Sequence, residues 1–441
     1  MNCPHRNEAV RAVSFESELS MMYYDSLQNE AGFVAWDEVA AMVKRHVAAN
    51  SWRSVLLLPP DITRSHSGAG PITALYYKEL TARGCSVKVM PALGTHVPMT
   101  EEELHKMFGT DIPAEAYLVH NFKTDIVPVG TVPADVMTEI SEGLFNEDVA
   151  VSINHELTEG KYDAILSIGQ VIPHEIAGMA NYTKNIVVGC GGGEMINVSH
   201  FLGVFYGLER LLGVDRNPVR ALFDYAQEHL LNAIPFTFVQ TVMAQIDGRD
   251  CYKGVFIGQG RKPYEDAVAL SHKVNFNTVE RPIRKCVVWM DPGSYHSTWV
   301  TNKAIYRTQL AVAEGGEIII IAPGVHMFGE NDIADSIIRK YGYLSREKAL
   351  ALRETEETLR KNLSITGHLI HGCPDGIQVT YCTDKLSHEE MVKAGFHHMS
   401  VDEALTKYPC RDWKNGWHTL PDGEEVYFVA NAALGMWRCE K

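Results

Sequence analysis

The chain has 441 residues, 46% hydrophobic and 22% charged. That mix excludes disorder, collagen and coiled coil, and it is enough chain for two or three domains that fold without disulfides or structural metals. The formal charge of −15 argues against a nucleic-acid binder, which needs a basic face to neutralise phosphates. No apolar run approaches the ~18 residues of a membrane span, and Met1–Glu8 lacks the apolar core of a signal peptide. The nine cysteines are scattered with no C-x-x-C pair, so a cytoplasmic protein with reduced thiols is expected.

Short β-branched runs ending in Gly, Pro or Asp and followed by helical patterns predict an α/β protein. Ser54–Leu58 reads as a buried strand stopped by Pro59-Pro60, and Ser86–Met90 as a second. The second runs through Gly94-Thr95-His96 to Thr100, which with Glu103 forms a capping box that should start a helix. Tyr162–Ile168 reads as a third strand and Asn185–Val188 as a fourth, broken by the glycines at 189 and 191–193. Asn197–Ala244 reads as mostly helical. Polar composition around Asn275–Lys285 places a domain boundary, giving an N-terminal α/β domain over 1–281 and a C-terminal α/β domain over 282–441. The second series begins with strand Cys286–Met290, loop Asp291–Ser294, a helix through Lys303 to Ala313 and strand Glu317–Ala322; the tail after about 410 fits against either domain. The expected architecture is therefore two α/β domains with mainly parallel sheets and the site in the cleft between them.

In open α/β sheets ligands bind at the C-terminal ends of strands. Four polar clusters fall there: Asp61-Ile62-Thr63-Arg64, Gly94-Thr95-His96, Pro173-His174-Glu175, and Asp291 through Trp299. Arg64 offers a planar fork for a carboxylate or phosphate. Because imidazole in general titrates near neutrality, His96 and His174 are candidates for proton transfer from two sides of one substrate. Each alone is equally readable as a cap, a surface ion pair or a core histidine. His174-Glu175-Ile176-Ala177-Gly178 lacks the second histidine of H-E-x-x-H, the glycines after Val188 do not complete G-x-G-x-x-G, and there is no Walker A loop.

The most specific constellation is His174, Lys184 and His200, with Gly178, Asn181 and the glycine-rich turn between them. This segment resembles the lactate racemase family, enzymes that use a nickel-pincer nucleotide. The resemblance covers about residues 50–330. It extends to Asp61-Ile62-Thr63-Arg64, similar to the family's D-x-T-R segment, to His96 in Gly94–Glu103, and to Lys303 followed by Ala304.

The resemblance implies the following roles. Lys184 is covalently attached to the cofactor, a Ni(II)-pyridinium-3,5-bisthiocarboxylate mononucleotide, and His200 is the protein's nickel ligand. Asp61 and Thr63 belong to the cofactor-binding set. His96 and His174 are the acid–base pair, while Arg64, Lys303 and Trp299 face the substrate. The implied reaction is racemisation or epimerisation at C2 of a 2-hydroxy acid, by hydride transfer coupled to proton transfer; the implied partners are that acid and dedicated cofactor-biosynthesis proteins. Trp299 and Val300 stand where the family's lactate enzymes carry tyrosine and glutamine, and Val97 where an arginine commonly follows the histidine. Lactate is thus not the expected substrate, and a sugar acid or larger 2-hydroxy acid is. Two alternatives stay open at this point: a metal-dependent hydrolase or lyase using His174, Glu175 and His200, and a non-catalytic α/β binding protein.

Overall fold

The computed structural model describes residues 23–246, 249–432 and 435–439, so the N-terminal segment Met1–Glu8 read above lies outside the described residues. Two six-stranded sheets organise the chain. The first contains Tyr24–Gln28 (β1), Ser54–Leu58 (β2), Ser86–Val89 (β3), Ala164–Gln170 (β4), Phe236–Ile246 (β5) and Arg249–Gly258 (β6), in the order β1-β6-β5-β4-β2-β3. Strands β5, β4, β2 and β3 are parallel to one another; β6 and β1 run antiparallel to their neighbours.

Val55–Leu58 and all of β4 are buried. Central parallel strands are covered on both faces, so their sequences run apolar without polar alternation. The side chains still alternate in direction. Val55, Leu57, Leu166 and Ile168 enter one core layer with Met42, Val43 and Tyr76. Leu56, Leu58 and Ile165 enter the other with Ile186, Phe201 and Phe223. Helices Trp36–Ala48 (α1) and Ala69–Thr81 (α2) supply the first layer. In α1, Val39, Met42, Val43, His46 and Val47 are buried, the spacing of one helical stripe. The Thr100–Glu103 capping box forms as expected and opens helix Glu101–Phe108 (α3): the Glu103 carboxylate accepts from Thr100 N at 2.8 Å, and Thr100 Oγ1 accepts from Glu103 N at 3.3 Å. Helices Gly193–Tyr206 (α4) and Pro218–Tyr225 (α5) cover the opposite face.

The second sheet contains Ile283–Trp289 (β7), Val312–Ile321 (β8), Gln378–Cys382 (β9), His397–Met399 (β10), Gly416–Thr419 (β11) and Glu425–Val429 (β12), in the order β10-β9-β8-β7-β12-β11. It is parallel except for the β11–β12 hairpin. Residues after Cys410 thus join the second sheet, and Met436–Cys439 pairs with Phe276–Val279. The eight described cysteines are all free thiols. Among the described residues no helix is long and apolar enough to cross a membrane.

Three segments differ from the sequence reading. Asn185–Val188 is not a strand; Thr183–Val187 is a short helix. A four-residue apolar run fits either state, and here the Asn185 side-chain amide decides by donating to Leu58 O and Ser167 Oγ at 3.1 and 3.0 Å. The helical stretch after Asn197 ends by Leu230, and Phe236–Ile246 is a strand, as its Thr and Val content favours once β4 and β6 flank it. The helix at Lys303 ends at Thr308, and Val312 already begins β8.

Candidate active site

Because β2, β3 and β4 are parallel, their C-terminal ends open on one edge. The chain leaves β2 toward β3 on one side while β4 lies on the other, which creates the crevice where ligands bind in such sheets. Asp61, His96 and His174 follow these three strands. Asp61 is buried and caps the turn Ile62–Ser67; its Oδ1 accepts from Thr63 N at 3.2 Å and Thr63 Oγ1 at 2.5 Å. Its Oδ2 lies 2.5 Å from His96 Nδ1. A carboxylate only accepts, so Nδ1 carries the hydrogen and Nε2 keeps its lone pair. The His96 side chain is 54% exposed, so that lone pair is accessible. Burial works to raise the Asp61 pKa, but the bonds from His96 and Thr63 outweigh it and the net shift is downward. Asp61 and Thr63 were expected to bind cofactor; here Asp61 is engaged with Thr63 and His96, and Thr63 with Asp61.

His174 is arranged oppositely. It is buried, and its Nδ1 accepts from Ile176 N at 3.0 Å and Ala177 N at 3.3 Å. The hydrogen therefore sits on Nε2. Burial holds the imidazole well below its usual pKa, and the positive charges of Lys184, Arg64 and Arg307 add to this against Glu175. One histidine thus presents a lone pair and the other an N–H.

Lys184 follows two non-glycine residues with positive φ, Asn181 (62°) and Tyr182 (58°). Such backbone persists only where its surroundings enforce it. Buried Arg220 does so, donating to Met179 O and Thr183 Oγ1 at 2.7 Å and to Asn181 O at 3.3 Å. The Tyr182 ring stacks on Tyr264, centroids 4.9 Å apart, and the Asn181 side-chain amide donates to Gln240 at 2.8 Å. The Lys184 amine makes no hydrogen bond or ion pair among the described residues. Burial, then the charge of Arg64, lowers its pKa to about 8, with Glu175 opposing.

His200 lies on α4, and the nearby Lys184 charge, after burial, works to lower its pKa. Its Nδ1 donates to Ile196 O at 2.6 Å, so Nε2 is left with a free lone pair, the state of a metal-ligating histidine.

From the second sheet, helix Lys303–Thr308 (α6) brings three groups to the crevice. The Lys303 pKa falls to about 8, chiefly through burial. Arg307 donates to Pro173 O at 2.8 Å and to the Glu175 carboxylate at 3.3 Å, and Tyr306 donates to the same carboxylate at 3.0 Å. Glu175 is thereby committed to joining the two halves. The Arg64 guanidinium has no hydrogen-bonded or ion-paired partner among the described residues, although the Arg64 backbone N–H donates to Asp61 O at 3.0 Å. Among the described residues the side chains of three cations at the crevice, Arg64, Lys184 and Lys303, are thus unpaired, and the carboxylates of Asp61 and Glu175 are already occupied.

Trp299 is half-buried, and one face of its indole is stacked on His368 at 3.5 Å. His174, Glu175 and His200 do not gather as a metal site. Among the described residues the one grouping of that kind is His155, Glu156 and Glu159, which is ion-paired with Lys161 near the surface. The hydrolase alternative finds no support in this arrangement. Sequence reasoning missed Arg220, Arg307, and His368 with His371. The last two were legible as a helical i, i+3 pair inside an apolar segment, Leu363–His371.

Residues 40–209 match the lactate racemase N-terminal domain family. No curated protein matches the chain by sequence. A crystal structure of a protein from Thermotoga maritima superposes with a TM-score of 0.80 at 23% identity, covering 94% of this chain and 100% of that one. The lactate racemase apoprotein from Thermoanaerobacterium thermosaccharolyticum gives 0.68 at 18% identity, covering 90% and 92%. The matched segment contains Asp61, Thr63, Arg64, His96, His174, Lys184 and His200, and the likeness in fold runs through both sheets. Residues 40–209 are thus similar to the lactate racemase N-terminal domain, and the likeness of the whole chain to these structures is one of fold.

Proposed function

We propose that the protein is a racemase or epimerase that inverts C2 of a 2-hydroxy acid other than lactate, with a nickel-pincer nucleotide tethered at Lys184 and His200 as the nickel's protein ligand. The observation that carries this reading is the pairing of an unpartnered lysine amine of lowered pKa with a histidine whose Nε2 is free, in one crevice. Both residues fit the group on their own chemistry: a lysine near neutrality is a competent nucleophile, and a neutral imidazole is a nickel donor. When bound, the group supplies the acceptor for the C2 hydride.

The chain's own residues supply the rest. Arg64 takes the substrate carboxylate in a two-point contact, and Lys303 adds charge where the carbonyl oxygen develops. His96 accepts the hydroxyl proton at Nε2, and Asp61 stabilises the imidazolium so formed. His174 offers its Nε2–H to the oxygen from the other side. The Glu175–Arg307 pair holds the second half of the chain against the first.

The test is expression with the cofactor-biosynthesis proteins, intact mass, and chiral assay of C2-deuterated acids. A nucleotide adduct on Lys184 and retained deuterium are expected, and Lys184→Ala loses adduct and activity together. Wild-type rates in Lys184→Ala, or deuterium washed out to solvent, would overturn the reading.

A further inference from the structure

Helix Leu363–His371 (α7) lies along α4, the helix that carries His200. Position 367 is glycine, and a Cβ there would lie 2.9 Å from Val204 Cγ2 and 3.4 Å from His200 O. The helix brings His368 and His371 to one face, ring centroids 4.9 Å apart. His368 stacks on Trp299, and His371 meets Tyr306 at 5.1 Å. Trp299, His368, His371 and Tyr306 thus form one continuous wall, which ends at the Tyr306–Glu175 hydrogen bond beside His174.

This wall has unmet hydrogen-bonding capacity. Both ring nitrogens of His371 are buried with no partner, and His368 makes ring contacts but no hydrogen bond among the described residues. An imidazole always carries at least one polar group to satisfy, and leaving it unpaired in the interior is costly. Nothing else in the proposed mechanism uses these groups.

We propose that His368 and His371 form the distal subsite of the substrate and hydrogen-bond hydroxyl groups on its tail, so that the preferred acid is polyhydroxylated. This rests on the racemase reading for the position of the substrate's carboxylate end. Burial lowers the pKa of both rings and so favours their neutral form. A neutral imidazole presents one donor and one acceptor, as a hydroxyl does. An alkyl tail leaves the ring nitrogens unpaired. A second carboxylate meets acceptors as well as donors, with no guanidinium or ammonium among the four residues of the wall.

The test uses three four-carbon acids with the same carboxylate end: 2-hydroxybutanoate, malate and threonate. Affinities are measured by calorimetry on the purified apoprotein and on cofactor-loaded protein. Threonate should bind ~10-fold or more tighter than either competitor. His368→Phe/His371→Phe should remove that preference while leaving 2-hydroxybutanoate affinity within about twofold, because the ring stack is retained. His371→Gln, which keeps a donor and an acceptor, should preserve most of it. Equal affinities for the three acids, malate as the tightest, a preference that survives the double variant, or no binding to either form would each overturn the proposal. Failure of the racemase reading is seen separately, as a missing adduct on Lys184.

Discussion

The lowered pKa of Lys184 has a direct chemical consequence. An ordinary lysine with a pKa near 10.5 is ~0.1% free amine at pH 7.4, whereas one at about 8 is ~20% free, a gain of roughly two hundredfold in nucleophile. Burial is the larger cause and the Arg64 charge the next. Trace acetylation of the apoprotein over about pH 6 to 11, followed by peptide mass spectrometry, should give Lys184 a reactivity midpoint near 8, well below the ~10.4 of an unperturbed lysine. Arg64→Met should move the Lys184 midpoint upward. The same shift fixes a sign for stability. Between pH 8 and 10.5 the unfolded chain binds the proton that the folded chain has lost, so apoprotein stability rises with pH across that window. Lys184→Met should flatten the rise and stabilise the apoprotein at pH 7, by at most roughly 3 kcal/mol. A Lys184 midpoint in the range of an unperturbed lysine would refute the reasoning, because it would mean the amine is solvated and not held in the crevice.

Asp61→Asn should lower turnover of the loaded enzyme by roughly 10²- to 10⁴-fold with the fold intact, since an amide no longer imposes the Nδ1–H tautomer on His96; a loss under threefold in the chiral assay counts against that role. Arg220→Met removes three hydrogen bonds from the Lys184 loop and should cost about 2–4 kcal/mol in urea unfolding, and an unchanged midpoint would deny the pinning. Glu175→Gln strands buried Arg307 and should cost about 3 kcal/mol at pH 7. Burial opposes ionisation of Glu175, but His174, Arg307 and Lys303 outweigh it and hold its carboxyl well below the usual range; the contribution is therefore full above about pH 4.5 and lost as pH falls through the lower folded value, so wild type and variant should converge in acid.

The positions of the candidate residues of the first half were legible because each follows a strand whose sequence is hard to mistake. Ser54–Leu58 and Ser86–Val89 are short, apolar and closed by Pro or Gly, so Asp61 and His96 fall at strand ends by counting alone. The strands Tyr24–Gln28, Phe236–Ile246 and Arg249–Gly258 were less so. Two are antiparallel additions at the sheet's edge, and the third follows a long helical stretch without strong punctuation. What no local pattern reveals is which polar groups become partners. Nothing near Glu175 announces Arg307, which is 132 residues away. Nothing near Lys184 announces Arg220, which holds its loop.

The division of labour between paired and unpaired charge is the physical core of the site. A protein folded for stability alone would give Arg64, Lys184 and Lys303 their own carboxylates. Here Glu175 goes instead to Arg307 and Tyr306, and Asp61 to His96 and Thr63. The cations are left repelling one another in a half-buried crevice, and that repulsion contributes to the lowering of both lysines. The Tyr182 backbone adds strain beside them. These costs are sustained by a large core on each face of two sheets, and they are relieved when an anion enters. On the proposed reading, a carboxylate substrate and a phosphate-bearing nucleotide would bind with an advantage built into the apoprotein, since each would supply the negative charge that the fold has withheld.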